Sequence, residues 1–269
     1  MIKYAANVTI AFKEYEFCER FQRASDAGFQ AVEFMSPFVY DVEEIVKAVS
    51  SSGIKVVQFN FMDGDLTGGQ RGHASHPDKV EEWREECERA LELSKRMGVR
   101  QINSLAGIEL DGVSREEQMA CLVDNLSWAA PKLKERELPL MLEPLNTYDN
   151  KGYLLGTSGE GLAVLDRVNS PWVRLQYDVY HMQRMEGDLV NTIRANIDRI
   201  GHVQIADNPG RHEPGTGEID YRFVLGALDE AGYDGYVGLE YVPSGKTEDS
   251  FGWLPKGKRG SSTAEDLNL

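Results

Sequence analysis

A single (β/α)8 barrel, the TIM-barrel architecture, is the fold this sequence predicts. Three observations predict it. Short apolar runs of strand type alternate strictly with longer runs of helical period, which means a parallel sheet. No glycine fingerprint of the form GxGxxG follows the first strand, which disfavours an open dinucleotide-binding sheet. The 269 residues suit the usual barrel length of about 250 residues, and no composition break marks a second domain. We therefore expect the barrel over residues 1–243. A polar tail, residues 244–269, is expected to drape over the barrel or a neighbouring subunit, its last residues poorly ordered.

Each element has its own signal. The apolar stretch Met1 to Phe12 reads as a first strand; Asn7 interrupts it and Lys13-Glu14 follow without a small-residue cleavage signature, so it is no signal peptide. Tyr15 to Ala27 carries Phe17, Phe21 and Ala24 on one helical side, and Gly28 stops it. Ala31 to Met35 is a second strand, Val42 to Ser52 a helix closed by Gly53, and Lys55 to Phe61 a third strand. The glycine-rich stretch from Asp63 to His76 then has the composition of a lid or binding loop on a barrel's active face. Pro77 opens a charged helix to Met97, with Val80, Trp83, Cys87, Leu91 and Ser94 recurring at three- and four-residue steps, and Gly98 ends it. Val99 to Leu105 is the fourth strand. Ser114 caps a helix running to Arg136, with Glu117 completing a capping box. The later helices are expected over 158–168, 187–199 and 221–231, the last preceded by Glu213-Pro214-Gly215-Thr216-Gly217.

Composition excludes several functions. With 29 basic against 44 acidic residues the formal charge is −15 and the pI about 4.8, a surface that repels nucleic acid and anionic membranes. No apolar run approaches the roughly 20 residues a bilayer crossing needs, so a soluble globular protein is expected. Cys18, Cys87 and Cys121 are odd in number and widely spaced, which argues for reduced packing residues and a cytoplasmic location.

The chemistry gathers between Glu143 and Glu240. Four apolar runs end on an oxygen-bearing side chain: Leu140-Met141-Leu142-Glu143, Val173 to Asp178, His202-Val203-Gln204, and Tyr236-Val237-Gly238-Leu239-Glu240. Their spacing of roughly 26 to 36 residues is that of one strand, one helix and two loops. One acidic residue at a strand end is ordinarily solvated or caps the next helix. Four oxygen ligands, three acids and an amide, at the same end of four successive βα units suggest one shared site, because parallel strands bring their C-terminal ends to one face. Three carboxylates and an amide oxygen suit a hard divalent cation, Mg²⁺ or Mn²⁺, better than zinc. Glu143 and Glu240 come from opposite ends of the arc and are candidates for a proton donor and acceptor flanking a small substrate with adjacent carbonyl and hydroxyl groups. His181, Arg211 and Arg71 are candidates for substrate binding, the arginines for a substrate carboxylate.

Several runs carry a resemblance: Gln176 to Gly187, Gly201-His202-Val203-Gln204-Ile205-Ala206-Asp207-Asn208-Pro209, and Arg211-His212-Glu213-Pro214-Gly215-Thr216-Gly217-Glu218-Ile219, with Tyr4-Ala5-Ala6-Asn7, Phe59-Asn60, Gly64-Asp65 and Gly238-Leu239-Glu240-Tyr241-Val242-Pro243. Together these resemble the hydroxypyruvate isomerase family over nearly the whole chain. The resemblance implies a xylose-isomerase-like TIM barrel interconverting hydroxypyruvate and tartronate semialdehyde through an enediolate. It implies Glu143 and Glu240 as the proton donor/acceptor pair, and Glu143, Asp178, Gln204 and Glu240 as ligands of the divalent metal. Related ketose 3-epimerases carry His at the third ligand position, whereas Gln204 follows the hydroxypyruvate isomerase pattern. Isomerisation of a longer 2-oxo acid such as 2-oxo-tetronate stays open, with Phe38, Phe61 and Met62 expected to decide it. So do ketose 3-epimerisation and a barrel that binds a metabolite without turnover. A metal-dependent endonuclease would need a basic groove and a His-rich cluster, which five histidines and a charge of −15 do not supply. A small-acid partner is expected, and a homo-oligomer.

Overall fold

The computed structural model describes residues 1–61, 64 and 69–269. Eight strands close into a barrel in chain order: β1 Lys3–Asn7, β2 Ala31–Phe34, β3 Lys55–Phe61, β4 Gln101–Leu105, β5 Leu140–Glu143, β6 Val173–Asp178, β7 Ile200–Ile205 and β8 Tyr236–Leu239. Every neighbouring pair is parallel, and β8 returns to β1 with Tyr4 opposite Val237. All eight C-terminal ends therefore open on one face.

The helices are α1 Arg20–Asp26, α2 Val42–Ser52, α3 Val80–Met97, α4 Arg115–Arg136, α5 Ser158–Val168, α6 Val179–Met185, α7 Leu189–Asn196 and α8 Tyr221–Glu230. Their apolar faces meet the sheet in an aromatic-rich layer: Phe61 lies 5.7 Å from Trp83, and Phe34 packs edge-on against Phe17 and Phe21. The stop signals act as expected at Gly53 and Gly98, both left-handed helix caps. Ser114 accepts from the Glu117 amide at the start of α4, and α4 carries Pro131 in its interior. No helix among the described residues is long and apolar enough to cross a membrane, and the three cysteines are free thiols.

Two elements differ from expectation. β1 ends at Asn7 rather than running to Phe12, because the Asn7 carbonyl accepts from Ile10 and Ala11 and its side-chain oxygen from Thr9, turning the chain at once. The helix expected over 187–199 is α7, Leu189–Asn196, and a helix that was not expected, α6, precedes it. α6 starts directly after β6 because Asp178 caps it, accepting from the Tyr180 amide at 2.8 Å. Gly187, at φ 67°, ends the turn that follows α6 rather than starting a helix.

Beyond Pro243 the chain forms three short 3-10 turns, at 249–251, 256–258 and 264–266. Phe251 packs on Phe12 and Phe29, and Trp253 stands edge-on to Tyr4 at 5.9 Å. Ser262 forms an antiparallel bridge with Ile2 and a 2.8 Å hydrogen bond with the Tyr4 hydroxyl. Arg222 of α8 donates to the Leu267 and Leu269 carbonyls.

Candidate active site and metal centre

Glu143 is the last residue of β5, Asp178 the last of β6, His181 lies in the first turn of α6, and Glu240 follows β8 directly. One ligating atom from each lies within 4.8 Å of the others, and none of the four residues is more than 3% exposed. Strand register explains the meeting. Leu105 pairs with Glu143 and Asp178 with Gln204, so these side chains reach the barrel mouth at one level. Glu143 and Glu240 line a cavity of about 220 Å³ with His181, Arg71, Arg211, Asn60 and Asn150, roofed by the apolar Ile10, Met35, Leu105 and Leu145. Six of the seven residues expected to hold metal or substrate are thus gathered around this mouth.

Arg211 is delivered by a loop built on Asp207. That carboxylate accepts from the amides of Asn208, Gly215, Gly217 and Ile219, and the approach is so close that a Cβ on Gly217 would meet the Asn208 carbonyl at 2.2 Å. Arg211 sits at φ 57°, a left-handed conformation that costs a non-glycine residue about 1 kcal/mol or more. The loop holds it there with its guanidinium on Glu240 and 3.4 Å from Asp178.

Electrostatics follow from burial. Glu143 is raised to about 8, first by desolvation and then by the Asp178 charge, against the Gln176 side-chain amide, the Arg211 charge and an Asn103 hydrogen bond. Desolvation raises Asp178 too, opposed by Arg211 and by the backbone amides it caps. Glu240 is raised well above the ordinary carboxylate range by burial and by Glu143 and Asp178, with Arg211 opposing. Burial also drives His181 well below its usual value, helped by the Arg211 charge, so the ring is neutral. Its Nδ1 accepts from the Asn146 backbone amide at 3.1 Å. That bond favours the proton on Nε2, which lies 3.5 Å from Asp178 and 3.4 Å from the Arg211 guanidinium at the cavity wall.

Gln204 is the seventh of these residues. It is buried inside the barrel beside Asp178 in register, but its amide nitrogen donates to Glu33 and its oxygen accepts from Gln176. Arg71 reaches the cavity and donates from Nε to Asn150 at 2.5 Å. The residues expected to decide substrate length are elsewhere: Phe61 is buried against Trp83 and Phe38 lies under Arg89, both facing the helical layer. Met62 and Asp65 lie outside the described residues. The apolar wall of the cavity is made by Ile10, Met35, Leu105 and Leu145.

Sequence reasoning missed the residues that hold the carboxylates. Asn103 donates to Glu143 at 2.9 Å, and Asn7 to both Glu33 and Glu240 at 3.1 and 3.4 Å. The available signal was an Asn or Glu inside an apolar strand at an inward position, which demands a buried partner.

The donor set fits a hard divalent cation. Three buried carboxylates converge, burial raises the proton affinity of each, and Glu143 Oε1 has no hydrogen-bond partner among the described residues. Such a group has room and need for a positive ion.

Comparison with known proteins adds the family. The family model described as a xylose isomerase-like TIM barrel matches residues 21–257. The hydroxypyruvate isomerase of Escherichia coli K12 is 41% identical over 94% of this chain and 98% of its own. The 2-oxo-tetronate isomerase of Pectobacterium atrosepticum is 35% identical over 94% of this chain and 97% of its own. A Brucella melitensis structure described as an AP endonuclease of family 2 superposes with a TM-score of 0.90 at 37% identity, covering 94% and 98% of the two chains. A D-allulose 3-epimerase from a Methylomonas species, at 21% identity and TM-score 0.73 over 90% of this chain and 85% of its own, shares the fold. Fold, matched residues and the acid-lined barrel mouth together place this chain in the xylose isomerase-like TIM barrel family, among its hydroxypyruvate isomerase-type isomerases.

Proposed function

We propose that this isomerase interconverts hydroxypyruvate and 2-hydroxy-3-oxopropanoate (tartronate semialdehyde), with Glu143 and Glu240 as the proton donor and acceptor. The observation that carries it is the pairing, in one cavity of about 220 Å³, of two buried glutamates with two arginines. That pairing suits a small acid with adjacent carbonyl and hydroxyl groups. Glu143, Asp178, Gln204 and Glu240 would hold the cation, Mg²⁺ or Mn²⁺, which when bound polarises the substrate carbonyl and acidifies the neighbouring C–H.

The remaining steps belong to the chain's own side chains. Arg71 and Arg211 bind the substrate carboxylate. His181 Nε2–H donates to a substrate oxygen, its tautomer set by the Asn146 amide. One glutamate takes the C3 proton, the C3 hydroxyl proton passes to the C2 oxygen through an enediolate, and the other glutamate delivers a proton to C2. Burial supports this role, since a carboxyl raised to about 8 can both hold and release a proton near neutral pH. The apolar roof of Ile10, Met35, Leu105 and Leu145 keeps water from the intermediate.

The reaction is tested by proton NMR of hydroxypyruvate in D₂O with metal-stripped protein, with and without Mg²⁺ or Mn²⁺, repeated with Glu240→Gln. Metal-dependent deuterium incorporation and aldehyde formation, lost in the variant, is the expected result. A second reading rests on the relatives named 2-oxo-tetronate isomerase, 35% identical to this chain. Turnover of the four-carbon acid with hydroxypyruvate untouched would establish it and overturn the three-carbon substrate; inertness towards both would leave a barrel that binds without turnover.

A further inference from the structure

Inside the barrel, four primary amides form one continuous hydrogen-bonded chain. Gln101 Nε2 donates to Gln58 at 2.8 Å, Gln58 Nε2 to Gln176 at 2.6 Å, Gln176 Nε2 to Gln204 at 2.7 Å, and Gln204 Nε2 to Glu33 at 2.6 Å. An amide turned end for end has nearly the same shape, so a chain of amides alone has two self-consistent directions. A carboxylate at one end removes the choice. Glu33 offers only acceptors, so Gln204 turns its nitrogen to it and its oxygen to Gln176, and each amide behind follows.

Glu33 is built for that task. It is 1% exposed, and donors meet both of its oxygens: Asn7 Nδ2 joins Gln204 on Oε1 at 3.1 Å, and His202 Nε2 lies 2.6 Å from Oε2. Its place is cut into β8. A Cβ on Gly238 would lie 2.3 and 2.5 Å from the two Glu33 oxygens, so only glycine lets the carboxylate cross the strand. The same Asn7 amide that meets Glu33 also donates to Glu240 at 3.4 Å.

We infer that Glu33 is a positioning residue that fixes which end of the Gln204 amide is its oxygen and, through Asn7, steadies Glu240. The inference rests on the proposal that Gln204 contributes that oxygen to the divalent cation. An amide nitrogen carries no lone pair for a metal, so a Gln204 free to turn would spend part of its time as a non-ligand.

The test uses the full chain stripped of metal. Mn²⁺ affinity is read by electron paramagnetic resonance, and the Gln204 side-chain amide protons by NMR of the metal-free, ¹⁵N-labelled protein. In the wild type that proton pair is expected widely split, one proton being held by a carboxylate. Glu33→Gln is isosteric but restores the choice of direction: Mn²⁺ affinity should fall by about tenfold or more and the split should collapse. The charge-conserving pair Glu33→Gln with Gln204→Glu should recover affinity to within about threefold of wild type, because a carboxylate has no wrong end. Gln101→Met, at the far end of the chain, should leave both readouts unchanged.

Unchanged affinity in Glu33→Gln overturns the inference, as does a loss of affinity with the amide pair unmoved, which would be a charge effect alone. An equal loss in Gln101→Met overturns it too, since any break in the chain would then suffice. If the wild type itself binds no Mn²⁺, the metal site fails, and the metal-free amide spectrum still decides whether Glu33 holds Gln204.

Discussion

The two halves of the barrel carry different chemistry. Strands β5 to β8 bring Glu143, Asp178, Gln204 and Glu240 to or next to their C-terminal ends, whereas β1 to β4 contribute Asn7, Glu33, Asn60 and Asn103 at the same mouth or just below it. The later half carries the reactive carboxylates; the earlier half reaches across to hold them, Asn103 on Glu143 and Asn7 on Glu240. Like charges packed this closely repel; Arg211, from the later half, offsets part of that charge, and the neutral amide donors of the earlier half stabilise the carboxylates without adding another cation. Charge is concentrated on one arc and its support on the other.

The largest expected effect comes from breaking the charged half. Glu240→Gln should lower kcat by about 10² to 10⁴, measured as solvent deuterium incorporation, with Mn²⁺ binding followed in parallel. Asp178→Asn sharpens the contrast, because Asn can still cap α6: the melting temperature of metal-free protein should stay within a few degrees while Mn²⁺ affinity falls by about 10- to 100-fold. A matching loss of metal-free stability would show the carboxylate to be structural.

The pH dependence of stability separates the halves next. In metal-free protein a raised carboxyl keeps a proton that the unfolded chain has already lost. For Glu143, raised from 4.5 to about 8, this stability is fully present below about 4.5 and is lost as pH rises through about 8. Melting of metal-free protein should therefore fall across that window. Saturating Mn²⁺ should stabilise increasingly over the same range, because ions replace protons. Smaller still, Asn103→Ala in the supporting half should cost activity about tenfold with the fold intact. Asp207→Ala, which frees the loop bearing Arg211, should raise KM for the acid more than it lowers kcat.

Much of this arrangement was legible in the sequence, for physical reasons that also set its limits. Strand-then-helix alternation carries the barrel, and oxygen ligands at strand ends are visible because an acid after Leu142 or Leu239 interrupts an apolar run. α6 was not legible, since its cap is Asp178 itself: one residue ends the strand, starts the helix and lines the site, leaving no loop to read. Glu33, Asn7 and Asn103 were equally hidden. Their partners lie on distant strands, and nothing within a few residues of each shows which buried carboxylate it serves. Phe61 misled because alternation along β3 assigns its face only once the register is known.

The bridge between Ile2 and Ser262, and the bond joining Tyr4 to Ser262 across 258 positions of chain, bear on synthesis. β1 leaves the ribosome well before β8 and the strap of Phe251, Trp253 and Ser262 that cover it. Until then one strand edge and the rings of Tyr4, Phe12 and Phe29 have nothing to pair with, an invitation to aggregation that contacts of such long range delay answering. Chaperone dependence during translation should accordingly fall on the first strand made, and end when the tail arrives.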